Sequence, residues 1–573
     1  MSAVCKLLFC LITLGGFLPM PSPCQGQTRD WVEQFSADEK SLKFKYRIHL
    51  SPLREARLTE FYANWIKKLS EVDFNSLDRD QKVDTVLLNN HIRLQARKLQ
   101  ENTELDSIVK QIIPFWKPLI EILQEHESLK KLDGKAVAQS LADVTLAIQK
   151  DQTRYKLFMD SRPNLVYRTT LRMEETLRSL DEMNRFYDEY DPIYTWWVAK
   201  PYAELTKEMR ACLESLQVSL KGDAISLTEK IIGQPIGAKA LDAELQSAMI
   251  PYNSRELIDL AERELTWCDN EMIVASKALG FTDWRDAQNF VKAKHVDPGQ
   301  QPEMIADLAK EAIQFLEVHQ LITLPAIAKE SWRMKMMSPA RQKMSPYFLG
   351  GNTIIVSFPT DTMSHADKLM SMRGNNIHFA RATVHHELIP GHHLQYFMND
   401  RNKPYRKIFS TPFWLEGWAV YWETLLWDMD FARSPEDRIG MLFWRKHRCA
   451  RIIFSLGYHA GEMTPEECID LLIDRVGHER NNATAEVRRS IMGGYGPLYQ
   501  AGYMLGALQF RKLHEELVQS GKMTNREFHD AVLKENYMPI EILRARLLEL
   551  DLELNYKPNW RFYDETATPS KGQ

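Results

Sequence analysis

The chain has 573 residues, of which 44% are apolar and 26% are charged. This composition is typical of a folded globular protein of enzyme size and excludes a disordered chain. The formal net charge of −4 offers no general basic character for binding nucleic acid or an anionic membrane surface. We therefore expect neither of these partners, and the sequence leaves the oligomeric state open.

The first 26 residues differ in pattern from the rest of the chain. Lys6 precedes an apolar run over residues 7–18, and a small, turn-rich stretch follows it. This order predicts a signal peptide over residues 1–26, cut near Gly26–Gln27, and therefore a secreted protein. A signal anchor is the alternative, although the run is short for a membrane span. No later run of about 18 apolar residues, the length that a membrane span needs, occurs. We therefore expect no stable membrane insertion after removal of the signal peptide. Four cysteines then remain, and their pairing is left open.

Residues 27–330 read as successive amphipathic helices. We predict that this N-terminal helical region forms one wall of a cleft and that residues 331–573 carry the chemistry, both within one large unit. Residues 350–359 break the helical rhythm, with two glycines, a β-branched run and a closing proline. This pattern predicts a strand at a sheet edge, where an extended peptide backbone could dock. An ordinary core strand is the alternative.

Histidines and one glutamate cluster in the segment His385–His393, which reads HHELIPGHH. In zinc peptidases of the HExxH type, two histidines four residues apart bind the metal and the glutamate between them activates water. Here Pro390 occupies the fourth position after His386, so the usual spacing fails. A Pro-Gly step opens a helix, however, and would let a later histidine approach His386. We predict His386 and His392 as ligands, with His393 in reserve, and Glu387 as the catalytic base. A structural helix with satisfied histidines is the alternative.

A second segment, Phe413–Trp427, is apolar nearly all round and should form a buried helix. Glu416 and Glu423 lie seven residues apart, hence on one face of it. Because a buried carboxylate is costly unless it is paired or bound to metal, Glu416 is predicted as the third ligand of one Zn²⁺ per chain. Glu423 would orient a ligand histidine. The alternative is an arginine or lysine partner for each acid.

Hydrolysis also requires donors for the oxyanion and groups that hold the substrate. His459 and Tyr499 are predicted as catalytic donors, and Tyr495 and Tyr503 as substrate-binding residues. Each could instead be an ordinary core residue whose polar tip is satisfied.

Two adjacent arginines follow Glu486 in the sequence. Arg488 and Arg489 could bind the terminal carboxylate of a peptide. The alternative is that they pair with Glu486.

Several long motifs resemble those of the domain-of-unknown-function 885 family, which carries an HExxPGHH motif and is grouped with zinc metallopeptidases. In chain order they are FLGGNTIIVSFPT, RGNNIHFARATVHHE, HHELIPGHHLQYFM, LEGWAVYWE and GYGPLYQAGYMLG. The resemblance runs from about Pro235 to the tail and is looser toward angiotensin-converting-enzyme-like peptidases. It implies a mainly α, two-lobed, gluzincin-like fold with a central cleft and a small β-sheet. The family's metal motif falls on His386, Glu387, His392 and Glu416. The better-known peptidases often carry an acid where this chain has Val420.

These expectations combine into a secreted zinc metallopeptidase that hydrolyses peptide bonds, with short peptides as substrates and residues 331–573 as its zinc-binding catalytic region. Two other functions stay open. The chain could be a catalytically silent binding protein that keeps the metal, or a zinc hydrolase of non-peptide amides. The intact Glu387 argues against the silent protein, because only catalysis needs that base.

Overall fold

The computed structural model describes residues 27–113, 115–150, 163–221, 231–342 and 350–563. The predicted signal peptide and the C-terminal tail lie outside these residues. The described chain is mainly α-helical, as predicted, with one small sheet. Among the described helices, none combines the length and the apolar character needed to cross a bilayer.

The described helices are numbered in chain order. In the first half they are α1 (Gln27–Lys45), α2 (Pro52–Ser70), α3 (Arg79–Ile112), α4 (Trp116–Glu127), α5 (Gly134–Lys150), α6 (Pro163–Tyr187), α7 (Pro192–Lys221), α8 (Ala238–Ser247), α9 (Ser254–Ala278), α10 (Trp284–Lys292), α11 (Gln301–Val318) and α12 (Ala326–Ser331). In the second half they are α13 (Pro339–Gln342), α14 (His365–Gly374), α15 (Ile377–Glu387), α16 (His392–Asn399), α17 (Pro412–Asp428), α18 (Pro435–Ala460), α19 (Pro465–Leu471), α20 (Arg480–Met492), α21 (Tyr499–His514), α22 (Asn525–Glu535) and α23 (Ile540–Leu547). Short 3₁₀ turns cover Phe74–Ser76 and Pro404–Phe409, and π-helical turns cover Leu472–Val476 and Glu515–Gln519.

The sheet consists of two parallel strands, β1 (Arg333–Met336) and β2 (Thr353–Val356). Arg333 pairs with Thr353 and Met336 with Val356. The strand predicted within residues 350–359 is therefore confirmed, and among the described residues it pairs with β1 alone. Ile354 and Val356 are buried, so alternate side chains of β2 anchor it to the core.

The apolar core crosses the predicted boundary at residue 330. One large cluster joins Val32 and Leu87 of the first helices with Trp418, Leu505 and Phe562. A second cluster belongs to the N-terminal region and is built largely from α4–α7. The 27–330 region is thus divided between a helical lobe with its own core and helices that complete the core of residues 331–573.

Helices α17 and α21 cross with their backbones in close contact. A Cβ added at Gly417 would lie 2.5 Å from Gly506 Cα, and one added at Gly506 would lie 2.1 Å from Phe413 O. Glycine at both positions therefore permits this crossing. It brings the Glu416–Glu423 helix against the helix that carries Tyr499 and Tyr503.

The described cysteines are free thiols. The Cys449 thiol lies beside that of Cys268 in α9, and this neighbour and burial raise the pKa of Cys449 well above its usual range. The Cys468 thiol instead donates to Phe454 O at 3.8 Å. The cysteine beside Cys449 is thus not Cys468, the nearest in sequence, but one that helix packing brings to it.

Candidate metal centre

The histidine segment consists of two short helices joined by a break. Asn376 caps α15, and its side chain accepts hydrogen bonds from His378 N and Phe379 N. Helix α15 ends at Glu387, a cis peptide bond joins Ile389 and Pro390, and α16 begins at His392. The predicted opening of the helix at the Pro-Gly step is confirmed.

Gly391 allows the chain to turn back over the end of α15. Its N–H donates to His385 O at 3.0 Å, and a Cβ at this position would lie only 1.8 Å from His386 O. Trp418 of α17 donates its indole N–H to Pro390 O at 2.9 Å. The break is thus fixed both by backbone contact and by the buried tryptophan helix.

The break brings His386 and His392 together. Ligand atoms of His386, Glu387 and His392 all lie within 4.8 Å of one another. An oxygen of Glu416 lies 3.2 Å from His392 Nε2 and 3.8 Å from His386 Nε2. Ligand atoms bound about 2.0–2.1 Å from a tetrahedral zinc are about 3.3 Å apart. Nitrogen and carboxylate donors at this spacing fit a zinc ion.

His393, the reserve ligand, points elsewhere. Its Nε2 lies 2.8 Å from Ala328 O at the start of α12, and its Nδ1 has no partner among the described residues. Neighbouring positions on a helix diverge by about 100°. Of the two histidines, His392 therefore faces His386 and His393 faces α12.

Glu423 holds His386 from the side opposite the cluster. The Nδ1–H of His386 donates to Glu423 Oε1 at 2.6 Å, and Arg448 donates to the same oxygen at 3.1 Å. Burial acts to raise the pKa of Glu423, but Arg448 and His386 outweigh it and lower that pKa to about 2. Glu423 is therefore an ionised acceptor that leaves His386 Nε2 directed into the cluster.

Glu416 is buried and has a different set of partners. Tyr499 donates its hydroxyl to Glu416 Oε1, while Oε2 faces the two histidines. Burial acts to raise the pKa of Glu416, yet His392 and His386 lower it well below its usual range. Among the described residues no lysine or arginine forms an ion pair with Glu416, whereas Arg448 pairs with Glu423. The alternative of a basic partner thus describes Glu423 only.

Glu387 projects beside the two histidines and is partly exposed. Burial raises the pKa of Glu387 above its ordinary value. A Cβ at Gly350 would lie 2.2 Å from Glu387 Oε2, so the glycine before β2 leaves space for this carboxylate. A carboxylate with a raised pKa beside two histidines suits a group that accepts and returns a proton.

The cluster opens into a cavity of about 230 Å³. Besides the cluster residues, its lining comprises Arg341, Gly350, Ile355, Gly374, Asn375, Ala380, Thr383, Tyr396, Trp444, Arg448, Arg451, Arg489, Tyr495, Tyr499 and Tyr503. Every residue that lines this cavity lies between Arg341 and Tyr503. The first helices of the 27–330 region contact this part of the chain through the shared apolar core.

The three predicted tyrosines line the cavity together. The rings of Tyr495 and Tyr499 stack with centres 4.3 Å apart, and Tyr499 meets Tyr503 edge-on at 5.8 Å. The ring of Tyr503 lies nearly parallel to that of His386 at 6.3 Å. Tyr499 contacts Glu416 directly, while Tyr495 is nearest to solvent.

His459 is not brought into the cavity, which corrects its predicted catalytic placement. It lies near the end of α18, eight residues beyond Arg451 and so about 12 Å further along the helix. Its carbonyl accepts from Gly237 N at 2.9 Å, and burial lowers the pKa of its ring to about 4. His459 therefore packs as a neutral side chain near α8.

The structure also separates the two adjacent arginines. Arg489 lines the cavity, whereas Arg488 lines a different one, of about 710 Å³, between α14 and α20. They cannot grip one carboxylate together because consecutive side chains on a helix diverge by about 100°. Arg489 Nε lies 3.8 Å from Glu486 Oε2, which agrees in part with the alternative pairing.

Two arginines of α18 escaped the sequence interpretation. Arg448 and Arg451 line the cavity, and Arg451 binds Glu486 at 2.7 Å. A signal was available, because the run RKHRCAR at residues 445–451 lies between two apolar stretches of a long helix. Buried cations require carboxylate partners, so such a run indicates a buried ionic site.

Comparison with known proteins identifies the family. The profile described as "Bacterial protein of unknown function (DUF885)" matches residues 46–547. The match covers most of the chain, which therefore belongs to this family, as its motifs predicted. A search of curated proteins finds no match.

Two solved structures share the fold. One, from Shewanella oneidensis, is described as a candidate lipoprotein of unknown function, with a TM-score of 0.67 and 16% identity over 91% of this chain and 100% of its own. The other, a candidate lipoprotein from Colwellia psychrerythraea, has a TM-score of 0.56 and 16% identity over 91% and 99%. At this identity the likeness shows the fold alone.

Proposed function

We propose that the chain is a zinc-dependent peptidase. The observation that carries the proposal is the convergence of two histidine nitrogens and two carboxylates, Glu387 and Glu416, at the base of one cavity. His386, His392 and Glu416 would hold the ion. Three protein ligands with a further open position are typical of catalytic zinc, whereas structural sites are closed.

The residues around the cluster have distinct tasks in this proposal. Bound zinc supplies a Lewis acid that polarises a carbonyl and lowers the pKa of water. Glu387 accepts the proton of the attacking water and delivers it to the departing amine. Glu423 keeps His386 in one tautomer and orientation. The Tyr499 hydroxyl fixes Glu416 through its one O–H, and it would have to turn from that carboxylate to donate to developing negative charge.

We also propose that the protein is exported. The first 26 residues have the order of a signal peptide, and the two structural relatives are described as candidate lipoproteins. Fusion of residues 1–40 to a reporter enzyme that is active only outside the cytoplasm tests this. Activity that depends on the apolar run over residues 7–18 would support export, and a cytoplasmic, uncleaved fusion would refute it.

The decisive experiment measures zinc and cleavage on the same samples. Wild type, Glu416→Ala and Glu387→Gln are prepared zinc-replete, with Glu462→Ala as control because Glu462 is exposed and distant in sequence from the cluster. Zinc is measured by elemental analysis, and cleavage by release of free amine from a mixed peptide library. We expect one zinc per chain in the wild type. Glu416→Ala should lose both the zinc and the cleavage activity, whereas Glu387→Gln should retain zinc but not cleave.

Other outcomes would change the assignment in defined ways. Loss of zinc in Glu387→Gln but not in Glu416→Ala would make Glu387 the third ligand. Zinc without peptide cleavage would favour the silent binding protein, and hydrolysis of acylated amides alone would favour the non-peptide hydrolase. Absence of zinc from the wild type would refute the proposal.

A further inference from the structure

The lining of the cavity carries charges of both signs. Glu387 and Glu416 lie at the histidine end. Arg448, Arg451 and Arg489 supply guanidinium groups to the same cavity. Arg448 binds Glu423 behind His386, and the Arg451 guanidinium lies 4.3 Å from the ring centre of Tyr503. A cavity lined by both carboxylates and guanidinium groups favours a ligand that itself carries charge.

In the part of the chain that the structure describes, these three guanidinium groups pair with only two carboxylates. Arg448 pairs with Glu423, but Arg451 and Arg489 share the single carboxylate of Glu486. Arg451 is 3% exposed, yet among the described residues its Nη1 has no hydrogen-bond partner. Arg489 Nε also lacks one. A buried guanidinium with an unused N–H is costly unless a ligand supplies the acceptor.

The distances limit what the ligand can be. The Arg451 guanidinium lies 4.3 Å from the ring centre of Tyr503, whose ring is 6.3 Å from that of His386. The guanidinium is therefore at most about 11 Å from the His386 ring, which an extended peptide spans with about three residues. The cavity of about 230 Å³ is also smaller than the roughly 300–1,000 Å³ usual for ligand pockets.

We propose that Arg451 and Arg489 bind the C-terminal carboxylate of a peptide, so that the enzyme removes one to three residues from that end. The choice of a peptide carboxylate rests on the proposed peptidase function. Two guanidinium groups that share one protein carboxylate have N–H groups left over. These can donate charge-assisted hydrogen bonds to the carboxylate of a ligand. The short distance to the histidines places the bond to be cut near the end of the chain.

The test measures binding without turnover. Three fluorescent probes are titrated into zinc-free protein: dansyl-Ala-Ala-Phe with a free C-terminus, the same peptide with a C-terminal amide, and dansyl-Ala-Ala-Glu with a C-terminal amide. The proteins are wild type, Arg489→Gln, Arg489→Lys and, as control, Arg480→Gln. Arg480 lies on the same helix but is exposed and pairs with surface acids.

We expect wild type to bind the free acid at least tenfold more tightly than its amide, since a charge-assisted hydrogen bond contributes about this much. Arg489→Gln should lower affinity for the acid to that of the amide, and Arg489→Lys should retain part of the preference. Arg480→Gln should bind as wild type does. Equal affinity for acid and amide, no binding of either, or equal weakening of both by Arg489→Gln would overturn the inference.

Two further outcomes locate the error. If the glutamyl amide binds as tightly as the free acid, the arginines recognise an acidic side chain and the terminal assignment is wrong. Measuring cleavage of the same peptides separates the proposed peptidase function from the proposed carboxylate site. Preference for the acid without cleavage would keep the carboxylate site and refute the peptidase, whereas cleavage of acid and amide at equal rates would keep the peptidase and refute the inference.

Discussion

His386 donates its Nδ1–H to Glu423 Oε1 across a distance of 2.6 Å, from the last turn of α15 to the middle of α17. Both side chains are buried. This bond directs the other ring nitrogen of His386 toward His392 and Glu416. Because Arg448 also binds Glu423, the orientation of one predicted ligand depends on three different helices.

Replacing Glu423 by glutamine should weaken zinc binding about 10–100-fold, the usual effect of losing the acid behind a ligand histidine. The amide can still accept a hydrogen bond, but it no longer compensates Arg448 or raises the basicity of His386. Competition against a chromophoric chelator measures the affinity. Glu462→Gln, an exposed change of the same kind, should bind zinc as wild type does. Unchanged affinity in Glu423→Gln would show that this bond serves packing only.

The predicted ligand set follows from local chemistry that a sequence displays directly. Pro390 lacks an N–H and Gly391 lacks a Cβ, so the helix break is specified by two adjacent residues. The seven-residue spacing of Glu416 and Glu423 places both on one face of a helix. The family and the mainly helical fold were accessible for the same reason, because motifs and periodicity are local.

The arginines that line the cavity reach it through packing between segments that are distant in sequence. Arg448 and Arg451 reach it because α18 lies against α15 and α21, which no spacing within α18 reveals. His459 belongs to the same helix but lies beyond the cavity, and Arg488 diverges from Arg489 by one helical step. Residue type alone could not separate these cases, since each depends on which face of a helix meets its neighbour.

Replacing Gly391 by alanine should destabilise the protein by about 3 kcal/mol or more and abolish zinc binding. The added Cβ would lie 1.8 Å from His386 O, so the end of α15 must move. Thermal unfolding and zinc content measure the two effects. Gly496→Ala is a suitable control, because a Cβ there meets nothing within 4 Å. A Gly391→Ala protein with normal stability and zinc content would show that the turn tolerates a side chain.

Arg406 links the two predicted regions through buried charges. Its side chain is fully buried and binds Asp84 of α3 at 2.7 Å and Glu535 of α22 at 2.6 Å. Arg406→Met should lower the free energy of unfolding by about 3–5 kcal/mol, because two carboxylates lose their buried partner. Lys407→Met removes an exposed pair with Asp400 and should change stability by less than about 1 kcal/mol. Denaturant unfolding compares them, and equal effects would contradict this account.

His529 should make stability depend on pH. It is fully buried, its Nδ1–H donates to Leu321 O at 2.7 Å, and Tyr421 donates to its Nε2 at 2.8 Å. Burial lowers the pKa of His529 from 6.5 to about 3. Below pH 6.5 the unfolded chain therefore takes up a proton that the folded chain refuses, so stability falls as pH is lowered toward 3 and rises with pH across that window.

The contribution of His529 can be isolated by comparing slopes rather than absolute stabilities. Between pH 6.5 and 4.5, His529 should lower the free energy of unfolding by at most about 2–3 kcal/mol. His529→Phe should be less stable at pH 7, because Leu321 O and the Tyr421 hydroxyl lose their partner, but its stability should vary less with pH. Tyr421→Phe removes one of the same hydrogen bonds and keeps the imidazole, so it should retain most of the wild-type slope. Denaturant unfolding at several pH values gives these slopes, and identical slopes in His529→Phe and wild type would mean that His529 is protonated alike in the folded and unfolded chains.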